Sequence, residues 1–283
     1  MAAISKQKRD EMKFLSNLHT HTRFSDGAGE PEEYVTAALT EGFVSIGFSD
    51  HSPTNWTGSG TLMEFDDYPR YLAEIGRLKE AYADKIEIYL GLEEDYWPPV
   101  DTTQLDYTIG SVHDLPAKSD GTMLAVDWHP GYYERLIEEY SGAEAMVTAY
   151  YAAVAQMIKQ RRPTIVGHLD LITKLNRENC YFDPQSLWYS RASRLVAEAA
   201  AEEGLIVEVN TGAISRGYTE QPYPSLDLLH YLYKLGVPMT ISSDCHSVEH
   251  LDCAFDLSVE LLREAGYRSV KQMQKGIFVD IVI

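Results

Sequence analysis

The chain has 283 residues, 45% of them hydrophobic and 24% charged, which suits one large globular domain spanning residues 1–283. Its 24 basic against 43 acidic residues leave a formal charge of −19; this opposes binding along a nucleic-acid backbone or to an anionic membrane surface, so neither long nucleic acid nor membrane is expected as a partner. Three cysteines without a C-x-x-C pair, no apolar run of bilayer length and an N-terminus lacking an apolar signal core predict a soluble, reduced, cytoplasmic protein.

The first apolar run, around Leu15 and Leu18, leads into His19-Thr20-His21, where alternation along an extended backbone puts both imidazoles on one side. Taken alone, that spacing also fits a half-exposed strand. Pro31, the acidic pair Glu32 and Glu33, and the stripe Val35, Ala38 and Leu39 before Gly42 predict a helix. Residues 44–48 then read as a strand ending at Ser49-Asp50-His51, with a long loop to Gly60. The same grammar repeats: a helix over 68–82 and a strand over 86–92 ending at Glu93, then a strand over 107–112 ending at His113. An excursion containing Gly, Pro and Asp runs to about Gly131, and helical sequence follows to Lys159. Strand 164–167 ends at His168, helix 184–203 stops at Gly204, and strand 205–209 ends at Asn210. A helix over 226–235 closes at Gly236, strand 237–241 runs into Ser242-Ser243-Asp244-Cys245-His246, and 276–283 forms a further short strand or extended tail.

Seven strands that end in polar residues and mostly alternate with helices imply a parallel sheet, and a ring of them carries its functional groups at the C-terminal strand ends. An open doubly wound sheet would gather ligands at one crevice instead. The expected fold is therefore an α/β barrel. Six of the nine histidines, His19, His21, His51, His113, His168 and His246, lie at or just beyond strand ends with Asp26, Asp50, Glu93 and Asp244. Imidazole and carboxylate together suit Zn, Mn or Fe in a polynuclear site rather than Ca in an all-oxygen cage. Asp50 is equally compatible with the general acid for a leaving group and with an orienting partner for His51 or another histidine, and Cys245 reads as buried filler pointing away from its neighbours. His129 reads as a structural histidine, and residues 145–157 as a packed helix face. Glu94, Asp95, Tyr96 and Trp97 are equally compatible with meeting a cationic group and with a solvated loop.

These residues also form a family pattern. H-T-H at 19–21, F-S-D-G at 24–27, S-D-H at 49–51, G-L-E at 91–93, G-S-V-H at 110–113, G-H-L-D-L-I at 167–172 and S-S-D-C-H at 242–246 resemble the polymerase-and-histidinol-phosphatase (PHP) superfamily. G-H-L-D-L-I-T-K-L-N at 167–176 and E-V-N-T-G-A-I-S-R-G-Y at 208–218 resemble its histidinol-phosphate phosphatase branch. The resemblance implies a distorted (β/α)7 TIM-like barrel holding three divalent transition-metal ions. It implies that His19, His21, Glu93 and Asp244 hold one ion, that Glu93 bridges to a second held by His113 and His168, and that Asp26, His51 and His246 hold the third. Some superfamily members have histidine where this chain has Asp26, and a carboxylate there favours a harder or more weakly held third ion.

Ions a few ångströms apart activate water for in-line attack on phosphorus, so the residues themselves point to phosphate-ester hydrolysis. Arg216, on a loop flanked by Gly212 and Gly217, is the expected phosphate-binding residue, because a guanidinium forks onto two phosphate oxygens. A solvated loop arginine is the bland alternative, which the S-R-G-Y pattern disfavours. Lys174 and Arg177, in the loop after His168, are second-choice phosphate contacts, with a surface cation the leading reading of each. Glu93, Asp244 and Arg216 are thus the expected catalytic residues, and the branch resemblance implies L-histidinol phosphate as substrate. Three other readings compete: a PHP phosphoesterase acting on a sugar phosphate or nucleotide, an amidohydrolase-like hydrolase, and a non-catalytic metal-binding barrel.

Overall fold

The computed structural model describes residues 15–54 and 63–283. The expected N-terminal segment before Leu15 and most of the expected loop to Gly60 lie outside the described residues. In chain order the elements are β1 (Ser16–Asn17), α1 (Pro31–Glu41), β2 (Ser45–Phe48), α2 (Tyr68–Ala81), β3 (Glu87–Leu90), β4 (Glu93–Asp95) and β5 (Ile109–Ser111). Next come β6 (Asp114–Pro116), β7 (Met123–Ala125), α3 (Pro130–Glu139), α4 (Ala143–Arg161), β8 (Ile165–Val166), α5 (Leu187–Glu203) and β9 (Ile206–Asn210). The one-turn α6 (Gly212–Ser215), α7 (Leu226–Leu235), β10 (Met239–Ser242), α8 (Phe255–Ala265), β11 (Ser269–Gln274) and β12 (Ile277–Val282) complete the chain.

Helix ends follow the local chemistry. Pro31 opens α1, where its missing N–H removes nothing from the helical ladder, and the Glu30 amide donates to the Glu33 carboxylate at 2.7 Å. Gly42, Gly204 and Gly236 stop α1, α5 and α7 in the left-handed region, with φ of 81°, 66° and 73°. Each stop turns the chain directly into a strand.

The strands form two parallel arcs, ordered β1-β2-β3 and β10-β9-β8-β5-β4. The expected closed ring is not formed as one sheet among the described residues. The reason lies at Gly91-Leu92, where a continuous extended run exchanges neighbours: β3 pairs with β2, whereas β4, two residues later, pairs with β5. Isolated parallel bridges join the arcs at both sides, Thr20 with Cys245 and His51 with Glu93. All four of these bridged residues belong to, or adjoin, expected metal-ligating positions.

Between the arcs, Tyr107 fills the interior below the strand ends. Its hydroxyl donates to the main-chain oxygens of Leu18 and Phe48, the latter at 3.2 Å, and it is fully buried. A Cβ on Gly47 would lie 2.3 Å from that hydroxyl oxygen, and one on Gly91 2.2 Å from the ring. Both glycines are therefore required by one aromatic side chain, not by a turn. Two larger apolar clusters cover the outside. One centres on α4 and α5 with Tyr150, Tyr151, Met157 and Val196; the other packs Tyr34, Tyr71 and Ile75 onto β2 and β3.

Two elements differ from expectation. The excursion before Gly131 contains an antiparallel hairpin, β6 with β7, and the C-terminal segment pairs antiparallel with β11 instead of joining a parallel ring. The turn of that last hairpin rests on the N-terminal ends of β2 and β3: the Lys275 amide donates to Glu87 at 2.9 Å and Ser45 Oγ donates to Met273 O at 3.5 Å. It thus seals the end opposite the histidines. Cys245 is fully buried and its thiol is pushed up to about 11 by burial, whereas Cys180 is exposed. Peptide mass mapping after a brief treatment of native protein with a thiol reagent is expected to find Cys180 modified and Cys245 intact until denaturation.

Candidate metal centre

Period-two alternation places side chains from five strand ends on one floor. His19 and His21 follow β1, Glu93 starts β4, His113 follows β5, His168 follows β8, and Asp244 with His246 follows β10. His51 enters after β2, and the turn 22–26 folds back to bring in Asp26. That turn is held by Asp50, which accepts from Thr22 N at 2.8 Å, Thr22 Oγ1 at 2.9 Å, Ser25 N at 3.1 Å and Ser25 Oγ at 2.7 Å. Asp50 therefore positions the loop that carries Asp26.

Glu93 lies at the centre and is buried. Its Oε2 is 3.0 Å from His51 Nδ1, 3.3 Å from His19 Nε2 and 3.4 Å from His21 Nε2. Its Oε1 is 2.9 Å from His168 Nε2 and 3.3 Å from His113 Nε2, and it accepts from Ser111 Oγ at 2.7 Å. Burial alone would raise the Glu93 carboxyl, but His113, His19 and His51 outweigh it and hold the group well below the usual carboxylate range. Asp244 divides its oxygens: Oδ1 is 3.2 Å from His21 Nε2 and 3.7 Å from His19 Nε2, whereas Oδ2 accepts from Arg216 at 3.1 Å. Asp26 Oδ2 is 3.0 Å from His246 Nε2 and 3.6 Å from His51 Nε2, and its Oδ1 is 3.3 Å from His21 Nδ1.

Three overlapping sets of donors have their atoms within 4.8 Å of one another: His21, Asp26, His51 and His246; His19, His21 and Glu93; and His51, Glu93 and His113. The fit to a divalent cation rests on convergence. Nε2 of His19 and His21 are 3.1 Å apart, and Nε2 of His113 and His168 are 3.2 Å apart. Ring nitrogens that close cannot both point hydrogens at each other, and a shared cation lets both present lone pairs. All nine expected ligating residues are brought together.

The expected phosphate contacts separate. Arg216 and Lys174 line the pocket above the floor, which has a volume of about 200 Å³ and is also bounded by Asp127, Trp128, Leu171 and Tyr218. Arg216 donates to Asp244 Oδ2 and to Asp244 O at 3.2 Å and lies 2.6 Å from His246 Nδ1, and its buried Nε has no partner among the described residues. Lys174 is paired with Asp127 at 2.7 Å and lies 4.8 Å from the centroid of the Tyr218 ring. Arg177 does not reach the pocket: a tight turn with Glu178 and Asn179 at positive φ directs it outward, where it is exposed and donates to Gly217 O at 3.1 Å.

Two carboxylates that the sequence reading gave no firm role touch the histidines from behind. Asp95 is 3.0 Å from His113 Nδ1, and Glu208 lies 3.0 Å from His19 Nδ1. The available signal was parity, since Asp95 follows Glu93 by two residues on one strand and Glu208 precedes Asn210 by two on another. His129 caps α3, accepting from Gly131 N at 2.9 Å, as a structural histidine would. Among the described residues no helix is long and apolar enough to cross a membrane.

An α/β protein whose parallel strand ends converge imidazoles and carboxylates on one buried floor is the class that this geometry defines. More particularly, residues 17–212 match the family model of the PHP domain, and the chain belongs to that family. A relative from Deinococcus radiodurans, named "Probable histidinol-phosphatase", is 29% identical over 92% of this chain and 96% of its own length. A solved chain from Listeria monocytogenes shares the fold with a TM-score of 0.76 at 22% identity, covering 86% of this chain and 99% of that one. The histidinol phosphate phosphatase of Lactococcus lactis, solved with zinc, L-histidinol and phosphate, superposes with a TM-score of 0.69 at 22% identity over 94% of this chain and 98% of its own.

Proposed function

We propose that this chain is a metal-dependent histidinol-phosphatase, hydrolysing L-histidinol phosphate to L-histidinol and inorganic phosphate as a step of histidine biosynthesis. The observation that carries the reading is the position of Glu93, whose two oxygens face separate histidine sets on the floor of a pocket walled by Arg216 and Lys174. The substrate comes from the relatives of the same family and length that bear this name.

In this reading His19, His21, Glu93 and Asp244 hold one divalent ion, Glu93 with His113 and His168 a second, and Asp26, His51 and His246 a third. The donor set suits Zn, Mn or Fe. When bound, such ions lower the pKa of a shared water and offset charge on the phosphoryl oxygens. Arg216 holds the phosphate with its remaining donors, and Lys174 contributes a further positive charge at the wall. The two parallel arcs act as one distorted seven-stave barrel, a reading supported by the bridges at Thr20–Cys245 and His51–Glu93, and residues 1–283 make up one domain.

The test combines metal analysis of the purified protein with phosphate release from L-histidinol phosphate and from a panel of sugar phosphates, nucleotides and diesters. Bound transition metal and a marked preference for L-histidinol phosphate are expected. Equal turnover of the other monoesters would overturn the substrate, and metal-free protein with full activity would overturn the site.

A further inference from the structure

Glu208 is a fully buried carboxylate on β9 that the proposed ligand set does not use. It meets three donors. His19 Nδ1 is 3.0 Å from Oε2 and 3.2 Å from Oε1, the His168 main-chain N–H donates to Oε1 at 3.0 Å, and Asn210 Nδ2 donates to Oε1 at 2.8 Å. Asn210 in turn donates to Asp244 Oδ2 at 3.3 Å. Residues near three strand ends, His19, His168 and Asp244, are therefore tied to one side chain that faces them from below the floor.

Oε1 already accepts from two N–H groups, and Oε2 faces His19 Nδ1 as a further acceptor, which puts the His19 ring proton on Nδ1 and leaves the Nε2 lone pair for Glu93's side of the site. Asp95 makes the matching contact to His113 Nδ1, but it engages one of these residues where Glu208 engages two directly and Asp244 through Asn210.

We propose that Glu208 is the positioning residue of the metal centre: it sets the tautomer of His19 and fixes the main chain of His168, so that both imidazoles present nitrogen lone pairs to the same cluster. The inference rests on the metal reading given above. It predicts a specific failure for Glu208→Gln. With the Gln oxygen accepting from His168 N–H and Asn210, its amide N–H faces His19 Nδ1 and donates to it, moving the ring proton to Nε2 and removing the lone pair that faces the site.

Competition of the metal-free proteins with a chelating zinc indicator is the test, with circular dichroism confirming that both are folded. Glu208→Gln is expected to bind zinc about 10- to 100-fold more weakly. Nitrogen NMR of the zinc-loaded wild type supplies a reading that needs no variant: His19 should carry its proton on Nδ1. Unchanged zinc affinity in a folded variant, or a proton on His19 Nε2 in the wild type, would overturn the role of Glu208 alone. Wild-type protein that takes up no zinc would overturn the metal reading and this inference with it.

Discussion

Glu93→Ala is expected to abolish measurable turnover and to lower bound metal. Among the described residues the side chain is the single carboxylate in contact with both histidine sets, touching His19, His21 and His51 with one oxygen and His113 and His168 with the other. Deleting one member of a buried charge set costs about 3–5 kcal/mol, because the partners remain buried without compensation. Metal affinity should fall as well, since one carboxylate faces both histidine sets. The fold should survive: Glu93 pairs through its main chain, and its amide and carbonyl bonds to Ser49, Asp50 and Ser52 do not involve the side chain. Metal content, thermal denaturation and phosphate release measured on one preparation separate the effects. Near-normal turnover in a folded variant would remove Glu93 from the centre.

The site was legible in the sequence because its imidazoles and most of its carboxylates stand where strands stop or start. Each histidine could be placed at a strand end from the apolar run before it, and the structure gathers all six at one floor. What lay beyond reach had local causes. Residues 86–92 read as one strand ending at Glu93, since nothing in Gly91-Leu92 signals that hydrogen bonding passes from β2 to β5. The three-residue strands β6 and β7 are too short to show periodicity, although Ser119-Asp120-Gly121 between them is a turn signal, with Gly121 at φ 74°. Arg177 was judged by charge and nearness to His168 in sequence, and two positive-φ residues after it decide its direction. Glu208 carries no signal beyond parity in sequence, because a carboxylate behind a histidine differs from one beside it only in the strand face and depth it occupies.

Arg216→Ala is expected to raise KM and to lower kcat/KM by roughly 10²- to 10³-fold, the usual cost of deleting a charged donor aimed at a reacting oxyanion. Metal content should stay normal, and the division of Asp244 explains why. Oδ1 faces His19 and His21, whereas Oδ2 and the main-chain oxygen accept from the guanidinium, so removing Arg216 leaves the oxygen on the histidine side in place. The close approach depends on Gly212: a Cβ there would lie 2.5 Å from Asp244 Oδ2 and 2.8 Å from the Arg216 terminal nitrogen. The same backbone that brings the loop over the floor thus leaves the guanidinium at the pocket wall, with Nε unpaired among the described residues. Arg216→Lys should recover only part of the loss, since an ammonium retains the charge but not the fork that spans two phosphate oxygens. Steady-state kinetics on L-histidinol phosphate with parallel metal analysis decides the matter: loss of metal together with activity would make Arg216 a support for Asp244 and not a phosphate contact.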